Sequence, residues 1–136
     1  MRFLAIDLGD KRTGLAIADE DPKIVHPLSV LEVPIGPLLI DAIEQAIGQH
    51  DAQAIVFGLP LNMDGTIGPR AKLTQEFGNK VALQTSIEVF YQDERLTSIA
   101  AEEHLYQSGK THKQKKRVRD ALAAAEILND FLATRT

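Results

Sequence analysis

Residues 3–19, FLAIDLGDKRTGLAIAD, constrain the fold more than any other stretch of the chain. Two apolar runs, 2–8 and 14–19, are too short for helices and are joined by the turn GDKRT, so they read as a β-hairpin with a longer loop. Strand alternation puts a carboxylate, Asp7, near the end of the first run on the face of Phe3 and Ala5. A half-buried acid placed just before a glycine-containing, basic turn calls for a chemical reason.

The remaining segments add a sheet for that hairpin to join. KIVHPLSVLEV predicts a third strand, pushed toward an edge by Pro27, because proline cannot donate to a strand ladder. PLLIDAIEQAIGQH places Leu38, Leu39, Ala42, Ile43, Ala46 and Ile47 on one helical stripe that stops near Gly48. QAIVFG is a short buried strand, and LPLNMDGTIGPR is a long loop of turn residues. A helix from about Pro69 follows, then the strand IEVFYQ, a helix from about Thr97 to Ser108 closed by Gly109, a basic segment, and the helix DALAAAEILNDFL. Three antiparallel strands followed by β-α units predict an α/β fold, a mixed sheet flanked by helices. With 136 residues, 44% of them hydrophobic, the chain is expected to form one domain over 1–136.

Composition removes several chemistries. The chain has no cysteine, and its four histidines (His26, His50, His104, His112) lack metal-ligand spacing, which excludes a disulfide framework, a thiolate zinc site and a cysteine nucleophile. No apolar run is long enough for a transmembrane helix, and residues 1–6 begin a strand in place of a cleavable signal, so a cytoplasmic protein without membrane association is expected. The net charge of -4 argues against a generally basic nucleic-acid binder, although a local patch can outvote the total.

Acidic residues sit where chemistry could use them. Asp93 and Glu94 follow the strand EVFYQ at its C-terminal end, where open α/β sheets place their ligands. Asp120 heads the stripe Ala123, Ala124, Ile127, Leu128 and Phe131, on the helical face that packs on the sheet. Acids from three elements can therefore meet at Asp7. Gathered carboxylates repel unless a cation lies among them, and oxygen ligands suit Mg²⁺ or Mn²⁺. Each acid also has a bland reading, as a helix-dipole partner or as turn chemistry.

The segment GKTHKQKKRVRD carries Lys110, Lys113, Lys115, Lys116, Arg117 and Arg119 directly before Asp120. A concentrated positive patch beside an acidic site suits a phosphate backbone drawn across a metal centre, whereas a charge run alone reads as a solvated loop. Lys11 and Arg12 in the first turn, and Arg70 at the start of a helix, are further candidates for phosphate contact. The alternatives are exposed hairpin residues and, for GLPLNMDGTIGPRA, a rigid turn set by Pro60, Asn62 and Gly65.

The blocks AIDLGDKRTGLAIAD, IVFGLPLNMDGT, DERLTS and VRDALAAAEIL together resemble the YqgF/RuvX family of bacterial proteins, in the family's order and over nearly the whole chain. These proteins are related to the RuvC-type Holliday junction resolvases and are described as resolvases or as nucleases for the 5' end of pre-16S ribosomal RNA. The resemblance implies an RNase H-like fold, with a five-stranded mixed sheet of three antiparallel then two parallel strands, and a two-metal mechanism using Mg²⁺ or Mn²⁺. It assigns catalytic acids to Asp7, to the pair Asp93 and Glu94, and to Asp120. Strand alternation lets only one of the pair face the metals, and Glu94 is preferred, giving Asp7, Glu94 and Asp120 as ligands. Where the resolvases carry an acid after the strand AIVFG, this chain has Gly58, Leu59 and Pro60, so that acid must come from the neighbouring strand. Arg119 also stands where the family usually has an apolar residue.

The expected function is that of a hydrolase, a metal-dependent endonuclease acting on pre-rRNA or branched DNA. In this reading Lys11, Arg12, Arg70, Lys110, Lys113, Lys115, Lys116 and Arg117 position the backbone. Chemistry on two strands would call for a homodimer. With two tyrosines and no tryptophan, base-specific stacking lacks support. Two other classes use the same features: a non-catalytic scaffold that holds ribosomal precursor RNA, and an actin-like ATPase domain, which would need a second domain to clamp its nucleotide.

Overall fold

The computed structural model describes residues 1–94 and 112–135, with residues 112–118 described by their backbone. Its elements in chain order are β1 (Arg2–Asp7), β2 (Thr13–Asp19), β3 (Ile24–Leu31), α1 (Pro37–His50), β4 (Ala54–Leu59), α2 (Pro69–Thr85), β5 (Glu88–Asp93) and α3 (His112–Ala133). The helix expected over Thr97–Ser108, and Lys110 with it, lie outside the described residues.

The strands form one sheet in the order β3-β2-β1-β4-β5. β1 pairs antiparallel with β2, and β2 with β3, while β1–β4 and β4–β5 are parallel. Pro27 lies in β3, an edge strand, opposite Ala16, beside a register shift between Gly14 and Ala16. Edge placement and irregular pairing are what a residue without an N–H requires.

Strand alternation builds two cores. Leu4, Ile6, Leu15, Ile17, Ile55 and Phe57 point to one side, against Leu39, Ile43 and Ile47 of α1 and Phe77 and Val81 of α2. Phe3, Ala5, Ala16, Ala18, Ala54 and Val56 point to the other, against Ala124, Ile127, Leu128 and Phe131 of α3. The second face is rich in alanine, so α3 can lie close to the strands. Fully burying a side chain such as Phe57 or Ile127 contributes roughly 1.5–3 kcal/mol.

Three sequence expectations shift. α1 runs through Gly48 to His50 and ends at Asp51, which adopts the left-handed conformation with φ 54°. Leu38, expected in its apolar stripe, is 74% exposed while Ile40 is buried, because the packed face is centred on Leu39, Ile43 and Ile47, and the helical turn carries Leu38 round to the opposite side. α3 begins at His112, so residues 112–119 belong to the helix that was expected to start at Asp120, and Asp120 lies two turns inside it instead of at its head.

At the far end of α3, Arg135 lies over Phe3, Phe90 and Phe131 at 5.1, 5.5 and 5.6 Å from their ring centroids. Its Nε also pairs with Glu20 at 3.0 Å. The helix is thereby tied to the edge of the sheet where β1 begins.

Candidate active site

Because β1, β4 and β5 are mutually parallel, their C-terminal ends share one edge of the sheet. Asp7 closes β1, Gly58 and Leu59 close β4, and Asp93 closes β5 with Glu94 directly after it. The Glu94 N–H donates to the Leu59 carbonyl at 3.2 Å, continuing the ladder by one residue and carrying the Glu94 side chain over β4.

Gly58 makes room for that side chain. It is buried, and a Cβ on it would overlap Glu94 Oε2. The space beside Gly58 is filled by the Glu94 carboxylate, which reaches across from the end of β5. Glu94 meets Asp7 in a carboxyl–carboxylate hydrogen bond. Burial, above all, raises both groups, Asp7 to about 6 and Glu94 to about 8. The Asp7 charge then adds to the rise at Glu94 and makes it the proton holder and donor. Asp93 influences Glu94 as a neighbouring negative charge, whereas Glu94 is the one of the two bonded to Asp7.

Asp120 reaches the same face from α3. Gly14, paired with Asp7 across the hairpin, allows this: a Cβ there would overlap the Asp120 backbone carbonyl, so the helix rests directly on β2. The Asp120 charge contributes to the raised position of Asp7. Its Oδ2 lies 3.1 Å from Nε of Arg12.

The cationic candidates divide. Arg12 is drawn to Asp120, and Lys11 is exposed beside it. Gly9, Asp10, Lys11, Arg12, Glu32 and Asp120 line a cleft of about 590 Å³. Arg70, read from sequence as a phosphate contact, spans Asp10 Oδ1 at 2.6 Å and the Leu8 carbonyl at 3.0 Å, fastening the β1–β2 turn to the start of α2. Its charge also opposes the upward shifts of Asp7 and Glu94. Lys113, Lys115, Lys116 and Arg117 fall on the first two turns of α3, the element that carries Asp120.

The β4–α2 loop is held by its own hydrogen bonds. Asn62 N–H donates to the Thr66 carbonyl at 2.9 Å, Gly65 N–H to the Asn62 carbonyl at 2.8 Å, and Thr66 donates to Asp64 Oδ1 through its N–H at 3.0 Å and its hydroxyl at 2.6 Å. These are the contacts of the rigid-turn reading.

Hard oxygen donors from β1, the end of β5 and α3 suit a divalent cation, and burial beside one another makes a neighbouring positive charge favourable for Asp7 and Glu94. Among the described residues, however, no group of three or more acids or histidines is set to close round one ion. The sequence did not reveal the Arg12–Asp120 pair or the supporting roles of Gly14 and Gly58. Only the missing acid at Gly58 signalled that something else must occupy that space.

A family model described as "RuvX: Holliday junction resolvase" matches residues 1–134. A protein of Bacillus thuringiensis (strain Al Hakam) named "Putative pre-16S rRNA nuclease" is 38% identical over 134 residues, covering 97% of this chain and 98% of its own. Among solved structures, T. thermophilus RuvC in complex with Holliday junction substrate is similar with a TM-score of 0.61 at 14% identity, covering 100% of this chain and 98% of that one. The fowlpox virus Holliday junction resolvase is similar with a TM-score of 0.61 at 11% identity, over 98% and 99% of the two chains. At these identities the structures speak to the fold, which is RNase H-like. The full-length family match and the Bacillus relative together make this chain a member of the RuvX (YqgF) family.

Proposed function

We propose that the protein is a metal-dependent endonuclease acting on structured nucleic acid in the cytoplasm, with the 5' region of pre-16S ribosomal RNA as its substrate. The observation that carries this reading is the Asp7–Glu94 carboxyl pair, cradled by Gly58 at the C-terminal edge of the sheet, with Asp120 on the same face. The 38% identical relative named for pre-16S rRNA favours RNA over a DNA junction, the substrate of the more distant RuvC complex. Cutting both strands of a junction would also call for two copies of the chain.

Asp7, Glu94 and Asp120 would hold Mg²⁺ or Mn²⁺, which when bound activates water and stabilises the leaving oxygen of a phosphodiester. To hold the ion, Glu94 would have to be in its carboxylate form, like Asp7. Lys11 and the basic turns of α3, with Lys113, Lys115, Lys116 and Arg117, attract and align the phosphate backbone. Arg70 acts indirectly, holding the turn that follows Asp7.

The test is cleavage of a pre-16S RNA fragment and of a four-way DNA junction by purified protein in Mg²⁺ and Mn²⁺, with Asp7→Asn alongside. Cleavage of the RNA, lost in the variant, is expected. The metal-free variant should be as stable as the parent or more so, since it carries one fewer acid in a crowded site. A purely structural Asp7 would instead cost about 1–3 kcal/mol on replacement. RNA binding without cleavage in either metal would favour the scaffold reading.

A further inference from the structure

Arg12 and Asp120 are both held in place by the fold. The turn carrying Arg12 is fastened from α2 by Arg70, through Asp10 and the Leu8 carbonyl, and strand pairing resumes at fully buried Thr13. Asp120 is fixed from the other side, where the backbone of α3 rests on Gly14. The side chains of Arg12 and Asp120 are 30% and 21% exposed, so the pair is partly withdrawn from water. Its geometry follows from two well-anchored backbones and not from a chance meeting of flexible surface groups.

Arg70 spans Asp10 and the Leu8 carbonyl, and the Arg12 guanidinium lies against Asp120. Among the described residues no three ligating groups close round one ion, and the Arg12 guanidinium lies 3.1 Å from Asp120. An ion that recruited Asp120 would therefore have to displace a guanidinium. Arg12 also lines the cleft of about 590 Å³ next to Lys11, where a released guanidinium would meet a phosphate with a bidentate hydrogen bond.

We infer that Arg12 and a divalent cation compete for Asp120, and that the ion hands Arg12 over to a phosphate of the nucleic-acid backbone lying in the adjoining cleft. The inference rests on the metal-dependent reading and adds to it a coupling. Arg12 weakens ion binding when no nucleic acid is present, and a phosphate that captures Arg12 removes the competition. Linkage makes the effect reciprocal, so the ion strengthens nucleic-acid binding by the same factor.

Mn²⁺ binding to the full chain, followed by calorimetry and by the electron paramagnetic resonance of the free ion, tests this without reference to activity. Arg12→Gln should bind Mn²⁺ about tenfold more tightly than the parent, within the usual range of couplings between sites, and Arg12→Lys should fall between them. Adding a phosphorothioate-protected RNA hairpin should tighten Mn²⁺ binding to the parent by a larger factor than to Arg12→Gln. In an Asp120→Asn background the Arg12 substitution should lose its effect. Mn²⁺ binding by the parent with no tightening in Arg12→Gln or Arg12→Lys overturns the competition and leaves the nuclease reading standing. Absence of Mn²⁺ binding in the parent and in every variant overturns both. Thermal melts followed by circular dichroism establish that each variant is folded, and Arg12→Lys, which keeps the charge of the turn, decides the matter if Arg12→Gln is not.

Discussion

Gly58 shows how a missing side chain can define a site. It faces Gln92 in the β4–β5 ladder, and the Glu94 carboxylate occupies the space its own Cβ would need. Gly58→Ala should therefore displace Glu94 from Asp7 and cost about 1–3 kcal/mol, a typical penalty for overpacking, read by urea denaturation. Cleavage should fall by more than that loss of folded protein explains, since small displacements of catalytic groups are expensive. In the sequence, residues 58–60 lack an acid, and strand alternation leans to Glu94 over Asp93. The sequence could not announce that Gly58 and Glu94 share one volume, because that depends on the register between strands about thirty residues apart. The Arg12–Asp120 pair was hidden for the same reason: the partners are brought together by the packing of α3 on β2 at Gly14.

Among the elements, α3 departed furthest from its sequence reading. Lysine, glutamine and arginine are good helix formers, but a run with Val118 as its one apolar member offers no 3.6-residue stripe to mark where the helix starts. The apolar period begins only after Asp120, and an acid there looks like a helix head. As helix, the basic segment tolerates substitution by alanine without losing its backbone form. Replacing Lys113, Lys115, Lys116 and Arg117 together should weaken binding to all nucleic-acid sequences alike and flatten its salt dependence by roughly 0.9 per lost contact on duplex DNA, or roughly 0.7 on single strands. Binding isotherms across a salt series give that slope, and an unchanged slope would remove these residues from the interface. The strands and α2 were more legible, since alternation, Pro27 and Pro69 each leave a local signature.

For the molecule as a whole, the mixed sheet and its helices followed from the order of apolar runs, while the charge state of its edge depends on burial that no local pattern displays. Asp7 and Glu94 are raised chiefly by desolvation, so ionising them costs more in the folded than in the unfolded chain. Their contribution to stability is fully present below the unfolded carboxylate range of about 4 and is lost as pH rises through about 6 and about 8. The metal-free protein should thus melt at progressively lower temperature from pH 5 to pH 9. Glu94→Gln should flatten that decline, and Mn²⁺ should offset it by binding the folded form, all measurable by scanning calorimetry. The two attachments of α3 bear on how such destabilisation would reach the site. From Asp120 to Ala133, where α3 ends, the helix rises about 20 Å, and Arg135 follows two residues on. One end rests on Gly14, and the other is clasped by three aromatic rings and Glu20. Between them Ala124, Ile127, Leu128 and Phe131 are buried against the strands, so fraying that starts at the clasp must peel this face away turn by turn and reaches Asp120 last.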